Sequence, residues 1–158
     1  MTITVRTALP RDRDVVIELI HQLNIFEADL TGDRLRDYGA ATRYHAELLQ
    51  RLATWNGRII LADDDGVVVG AMGFAVQEDA AYMVPDARRY GVVTDLVVDR
   101  HRRGAGIGRL LLQEAERLTR EAGVKRLTIG VLSANASAAR TYRAFGFDPY
   151  MTVMVKAV

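Results

Sequence analysis

The stretch GVVTDLVVDRHRRGAGIGRLLLQEAERL, residues 91–118, decides the fold. Its first part, GVVTDLVVD, is rich in β-branched residues and reads as a buried strand. Its last part sets Ile107, Leu110, Leu111, Ala115 and Leu118 at helical spacing, which predicts a helix from about Ile107 to Ala122, stopped by Gly123. Between them, Arg102 and Arg103 precede three glycines in five positions, Gly104, Gly106 and Gly108. A strand, a glycine turn and a helix start leave unpaired backbone N–H groups at the positive end of a helix dipole, and that suits a phosphate.

Counting residues separates the phosphate motifs. A dinucleotide fingerprint starting at Gly104 needs a glycine at 109, where Arg109 stands. No G-x-x-x-x-G-K-[ST] run is present, so a Walker loop is excluded. What fits is R-x-x-G-x-G, spelled Arg103-Gly104-Ala105-Gly106-Ile107-Gly108. The alternative is a glycine turn that only starts a helix.

Working outward, ITVRTA at 3–8 alternates and predicts a first strand. Pro10 suits a first helical turn, and Val16, Leu19, Ile20 and Leu23 follow helical spacing after it. A second helix is expected between about Asp33 and Ala53, with Tyr44, Leu48 and Leu52 on one face. RIILAD and VVVGAMGFAV flank DDG as a strand, a tight turn and a second strand, and 78–90 reads as an irregular connection. After the 107–122 helix, RLTIGVL predicts a strand, NASAARTYRAF a helix and MTVMVKAV at 151–158 a closing strand. The order β-α-α-β-β-β-α-β-α-β implies a mixed sheet covered by helices.

The 158 residues, with 49% hydrophobic and 26% charged content, suit one domain spanning 1–158. A net charge of +1 gives no field that argues for nucleic acid or an anionic membrane. There is no cysteine, so disulfides, a cysteine nucleophile and thiolate metal sites are excluded. His21, His45 and His101 lack metal-ligand spacing, and no metal is expected. The N-terminus lacks a signal-peptide pattern and no apolar run reaches membrane-spanning length, so a cytoplasmic location is expected.

The R-x-x-G-x-G segment following DLVVD, together with NASAARTYRAFGF at 135–147, resembles the two acyl-CoA motifs of the GNAT superfamily of N-acetyltransferases. The likeness covers roughly residues 92–147. It implies an α/β (α+β) fold with a mostly antiparallel central sheet and helices on both faces. It also implies transfer of an acetyl group from acetyl-CoA to a primary amine, by direct attack in a ternary complex. The acceptor is a small-molecule or protein amine, and a homodimer is expected, with YMTVMVKAV as an apolar contributing edge.

By the same resemblance, the loop amides from Arg103 to Gly108 hold the CoA pyrophosphate, with Ala105 and Ile107 contributing backbone. Arg102 and Arg103 add charge-assisted bonds, against the alternative of solvated loop side chains. The backbone of Leu96, Val97 and Val98 pairs with the pantetheine arm, and an N–H near Val98 stabilises the oxyanion. Asn135 and Ala138 belong to the second motif; Asn135 meets the arm, or is simply a helix N-cap, or both. Tyr142 matches the tyrosine that protonates the departing thiolate, against the alternative of a core aromatic on the face of Ala138 and Phe145.

The general base stays open. Thr94 stands where several members of that family carry glutamate. Asp95 adjoins it, but strand alternation puts it on the opposite face. Glu27, Glu78 and Asp79 lie in segments that border the acceptor cleft, or are solvated surface charges. The other reading of the whole chain is a non-catalytic acyl-CoA-binding or sensing module of the same fold.

Overall fold

The computed structural model describes residues 2–158; Met1, the first residue of the expected domain, lies outside the described residues. The chain runs β1 (Ile3–Thr7), a 3-10 turn at Pro10–Asp12, α1 (Arg13–Thr31), α2 (Tyr38–Thr54), β2 (Arg58–Asp64) and β3 (Val67–Glu78). It continues through a short α3 (Pro85–Arg88), β4 (Arg89–Val98), α4 (Ile107–Glu121), β5 (Leu127–Ile129) and α5 (Ala136–Phe145). The five strands form one sheet in sequence order. All neighbours pair antiparallel except β4 and β5, which are parallel.

Local chemistry sets the boundaries. Asp37 caps α2 by accepting a 2.8 Å bond from the Ala40 N–H. Residues 33–36, expected inside that helix, instead belong to the connection, where His21 Nε2 meets the Arg36 carbonyl at 2.8 Å and Arg34 pairs with Glu27 at 2.9 Å. The β2–β3 hairpin turns through Asp65 and Gly66, both with positive φ, the conformation that matches strand twist in a two-residue loop.

Each face of the sheet buries its own apolar cluster. On one, Val16 and Ile20 of α1 and Leu48 and Leu52 of α2 pack on Leu61 and Val97. On the other, Ile107, Leu111 and Ala115 of α4 pack on Ile60, Met72 and Val93. The apolar stripe of α4 read from the sequence therefore faces the sheet, and α5 rests beside it.

The β3–β4 ladder contains the irregularity that shapes the site. Met72 pairs with Leu96 and Phe74 with Val93, so Gly73 alone opposes both Thr94 and Asp95. That is a β-bulge, and it breaks the alternation on which the opposite-face expectation for Asp95 rested. The bulge fits because Gly73 has no side chain: a β-carbon there would lie 2.1 Å from the Thr94 hydroxyl.

The closing strand expected at 151–158 does not form; these residues are in neither helix nor strand and are exposed. The pattern is strand-like, but no strand of this chain pairs with it among the described residues. β5 is also shorter than the expected 126–132, because residues 130–132 turn away from β4. No helix among the described residues is long and apolar enough to cross a membrane.

Candidate active site

Pairing between β4 and β5 ends at Val93 and Ile129, while β4 continues to Val98 against β3 alone. Beyond that point the strands part, and a cavity of about 70 Å³ lies between them. Its wall includes Thr94, Asp95 and Leu96 of β4, residues 129–132, Leu23 and Glu27 of α1, and Asn135 and Tyr142. Residues far apart in sequence thus converge where the edge of β4 has no strand partner. A larger groove of about 720 Å³ between α1, α2 and the β1–β2 edge contains none of the expected site residues.

The bulge turns Thr94 and Asp95 together toward this space. The Thr94 hydroxyl and Asp95 Oδ2 are buried and have no hydrogen-bonding partner among the described residues. Such groups are costly unless something else meets them. Asp95 Oδ1 is held: it accepts a 2.8 Å bond from the Tyr44 hydroxyl, which in turn accepts a 2.7 Å bond from Arg51 Nη2. Burial and the Asp95 charge push the Tyr44 phenol well above its ordinary range, although Arg51 opposes this. Tyr44 is therefore a fixed donor that orients the carboxylate, and Oδ2 stays buried in the cavity wall without a partner among the described residues.

Tyr142 lies in the same wall. Its phenol is pushed up by burial and then by the Glu27 carboxylate, so it keeps its proton at neutral pH. Its ring meets Phe147 edge-on at 6.1 Å, which combines the expected aromatic packing with a hydroxyl at the cavity. Asn135 caps α5 by accepting a 3.1 Å bond from the Ala138 N–H and lines the cavity as well. Capping and a place at the site coexist in one side chain.

Gly104 and Gly106 have φ of +79° and +78°, and a β-carbon on either would meet nothing within 4 Å. The loop needs glycine there for backbone conformation rather than for room. Gly108 differs: it lies within α4, where a β-carbon would make ordinary contacts with Leu96 and Val98. Gly106 is the N-cap of α4 and no side chain caps the helix, so its first amides face the loop. With the unpaired edge of Leu96 to Val98 beside it, this fits an extended thioester donor ending in a pyrophosphate.

The two arginines part company. Arg102 forms an ion pair with Asp64 of β2. Arg103 reaches toward the Val98 carbonyl at 3.5 Å and lies 4.9 Å from the Phe26 ring centroid, on the loop side. Sequence reasoning missed Gln22. This buried residue of α1 donates to Asp99 Oδ2 at 3.1 Å and accepts from the Arg100 N–H at 3.0 Å, pinning the start of the loop. Tyr44 reads from the sequence only as a residue on one face of the second helix with Leu48 and Leu52. Neither carries a local motif. Glu78 and Asp79 lie elsewhere: Glu78 pairs with Arg88, and Asp79 accepts from Tyr90.

Comparison with known proteins shows the family of this chain. The model of the Acetyltransferase (GNAT) family matches residues 23–147. An IAA acetyltransferase of Azospirillum brasilense is 30% identical over 135 residues, covering 85% of this chain and 78% of that protein. Among solved structures, the tetramutant of the BH1408 protein from Bacillus halodurans superposes with a TM-score of 0.81 at 20% identity, covering 98% of this chain and 99% of that one. The aminoglycoside N-acetyltransferase AAC(6')-Iy, solved with CoA, gives a TM-score of 0.72 at 16% identity, with 99% and 95% covered. At these identities the structures attest the fold.

Proposed function

Because this chain belongs to the GNAT family of acetyltransferases, we propose that it moves an acetyl group from acetyl-CoA to a primary amine by direct attack in a ternary complex. One observation carries the reading: Tyr142, Asn135, Thr94, Asp95 and Glu27 share a single cavity at the parting of β4 and β5. Arg103 to Gly108 hold the donor pyrophosphate, assisted more by Arg103 than by Arg102, which is engaged by Asp64. The backbone of Leu96, Val97 and Val98 aligns the donor's arm, with Asn135 and Ala138 on its other side, and an N–H near Val98 meets the developing oxyanion.

The amine must lose a proton to attack, and Asp95 Oδ2 with the Thr94 hydroxyl supplies unsatisfied acceptors for it. Amine nitrogen bonds to the acetyl carbon, the carbon–sulfur bond breaks, and Tyr142 gives its proton to the leaving sulfur. A cationic amine sheds two protons: Asp95 takes the first before attack and passes it to solvent, and the second, lost once the nitrogen–carbon bond has formed, restores the Tyr142 phenol. Holding both substrates together supplies much of the acceleration, with no covalent enzyme intermediate. Two carboxylates line the cavity, and Asp95, which unlike Glu27 has no ion pair among the described residues, favours an acceptor that arrives as a cation. A single domain acting in the cytoplasm as a homodimer belongs to the same proposal.

The test is an acceptor panel of primary amines, each incubated with acetyl-CoA, reading CoA release and acetylated product. Turnover on cationic amines is expected. Calorimetric binding of acetyl-CoA without turnover on any amine would overturn the enzyme reading in favour of an acyl-CoA-binding module.

A further inference from the structure

The groove between α1, α2 and the start of β2 is a second concavity, and no residue lines both it and the cavity at β4 and β5. Its volume of about 720 Å³ is that of a small-molecule site, and it is enclosed by the turn after β1, by α1, by α2 and by β2. Its floor is apolar: Val16 and Ile59 are buried, while Leu9 and Leu49 in its sides are each 47% exposed. Leucines half in water on a concave surface gain from an apolar ligand.

The charge around this apolar lining has one sign. Arg13, Arg43 and Arg58 all line the groove, and all three are exposed. Arg58 has no carboxylate partner among the described residues. Arg13 meets the highly exposed Asp14 at 2.9 Å, and Arg43 lies 3.8 Å from Asp37. Exposed pairs of this kind contribute little, so these guanidinium groups are open to exchange. The one carboxylate in the lining, Asp12, is already satisfied. Arg6 bonds both of its oxygens, at 2.7 and 2.9 Å, and the Leu9 N–H donates to it at 2.8 Å.

His45 adds a polar group to the same wall. It is buried and makes no hydrogen bond among the described residues. Burial, and then the Arg13 charge, push its imidazole below the usual range, so it stays neutral and keeps one N–H to donate.

Three cations and an unpaired imidazole around an apolar floor complement an organic anion with an apolar body. We propose that the groove binds a small carboxylic acid as its anion, with the apolar body over Val16 and Ile59 and the carboxylate held by the arginines of the rim. The planar guanidinium meets a carboxylate through two parallel N–H bonds, which sets this head group above a neutral or cationic one. The site is additional to the acyl-transfer cavity and requires neither acetyl-CoA nor an acceptor amine.

Residue-resolved proton–nitrogen NMR titration of the full chain tests this without any turnover. The probe is naphthoate, compared with naphthylmethanol and naphthylmethylamine, which share its body and differ in the head group. Naphthoate should shift the amides of Leu9, Thr42 to Leu49 and Ile59 saturably. The alcohol should bind there about tenfold more weakly, the equivalent of one lost charge-assisted bond, and the amine more weakly still. The double variant Arg43→Glu/Arg58→Glu alters only exposed positions and should weaken naphthoate by about tenfold or more, with its circular dichroism unchanged. The head-group comparison on the unaltered chain decides the matter even where the variant folds poorly. Four results would overturn the proposal: no naphthoate shifts in the groove; shifts confined to the cavity residues around 94–96 and 129–142; equal binding of the alcohol or the amine; or groove shifts produced by raising protein concentration alone, which would place a second copy there.

Discussion

Tyr44 of α2 donates a 2.8 Å hydrogen bond to Asp95 of β4, across 51 residues of sequence, and so fixes the carboxylate while its other oxygen is left buried and unpaired among the described residues. The bond exists because the bulge opposite Gly73 turns Asp95 toward the helices. If Asp95 takes the amine proton, Asp95→Asn should lower kcat/KM by about 100-fold or more, within the range of general base loss. Acetyl-CoA affinity should hold. Tyr44→Phe, which loses one bond to a charged group, should cost about tenfold. Full activity in Asp95→Asn would remove it from the mechanism.

Tyr142 gives a separate test at the leaving group. Tyr142→Phe should reduce turnover roughly 100-fold while acetyl-CoA still binds in calorimetry. Burial and Glu27 both raise the phenol, so the alkaline limb of kcat should lie above the ordinary tyrosine value. Glu27→Gln removes the second cause and should move that limb to lower pH. A limb that stays in place would argue that another group titrates there.

The three glycines of the loop should not behave alike. Gly106→Ala forces a side chain into positive φ and should weaken acetyl-CoA binding about tenfold, the equivalent of ~1.4 kcal/mol. Gly108→Ala sits in a helix with room for a methyl group and should leave affinity almost unchanged. Equal losses at both positions, measured by titration, would contradict the conformational account.

Gly73 is the steric counterpart of the bulge. Gly73→Ala drives a methyl group into the Thr94 hydroxyl, and overpacking of this kind costs about 1–3 kcal/mol. Thermal melts should show that loss, and turnover should fall further than donor affinity because Thr94 and Asp95 move together. A variant with unchanged melting and unchanged rate would show that the bulge relaxes freely.

Acid stability should trace to the ion pairs that tie β1 to the turn before α1. The Arg6 guanidinium bonds Asp12 at 2.7 Å and Asp63 at 2.8 Å, and Arg6 holds the Asp12 carboxyl down at about 2. A depressed carboxylate stabilises the fold above its unfolded value near 3.8 and loses that contribution as pH falls through 2. Asp12→Asn should therefore cost about 1.5–3 kcal/mol at pH 7 and flatten the loss of stability between pH 4 and 2. Denaturant titrations at each pH would show an unchanged slope if the pair contributes nothing.

Much of this protein is written locally. The strand, glycine loop and helix at 91–118 follow from side-chain periodicity and from the backbone freedom of Gly104 and Gly106, both properties of neighbouring residues. The family likeness rests on the same stretch with 135–147, and Asn135 and Tyr142 indeed meet at one cavity. Tertiary structure decided the rest. Whether Asp95 lines the cavity depends on a bulge, and a bulge arises from register between two strands, which alternation within one strand cannot reveal. Gln22 and Tyr44 act on residues more than 50 positions away, through hydrogen bonds that no spacing rule encodes. Segment 151–158 makes the same point in reverse. Its pattern is that of a strand, but a strand needs an edge to pair with, and among the described residues no edge takes it up.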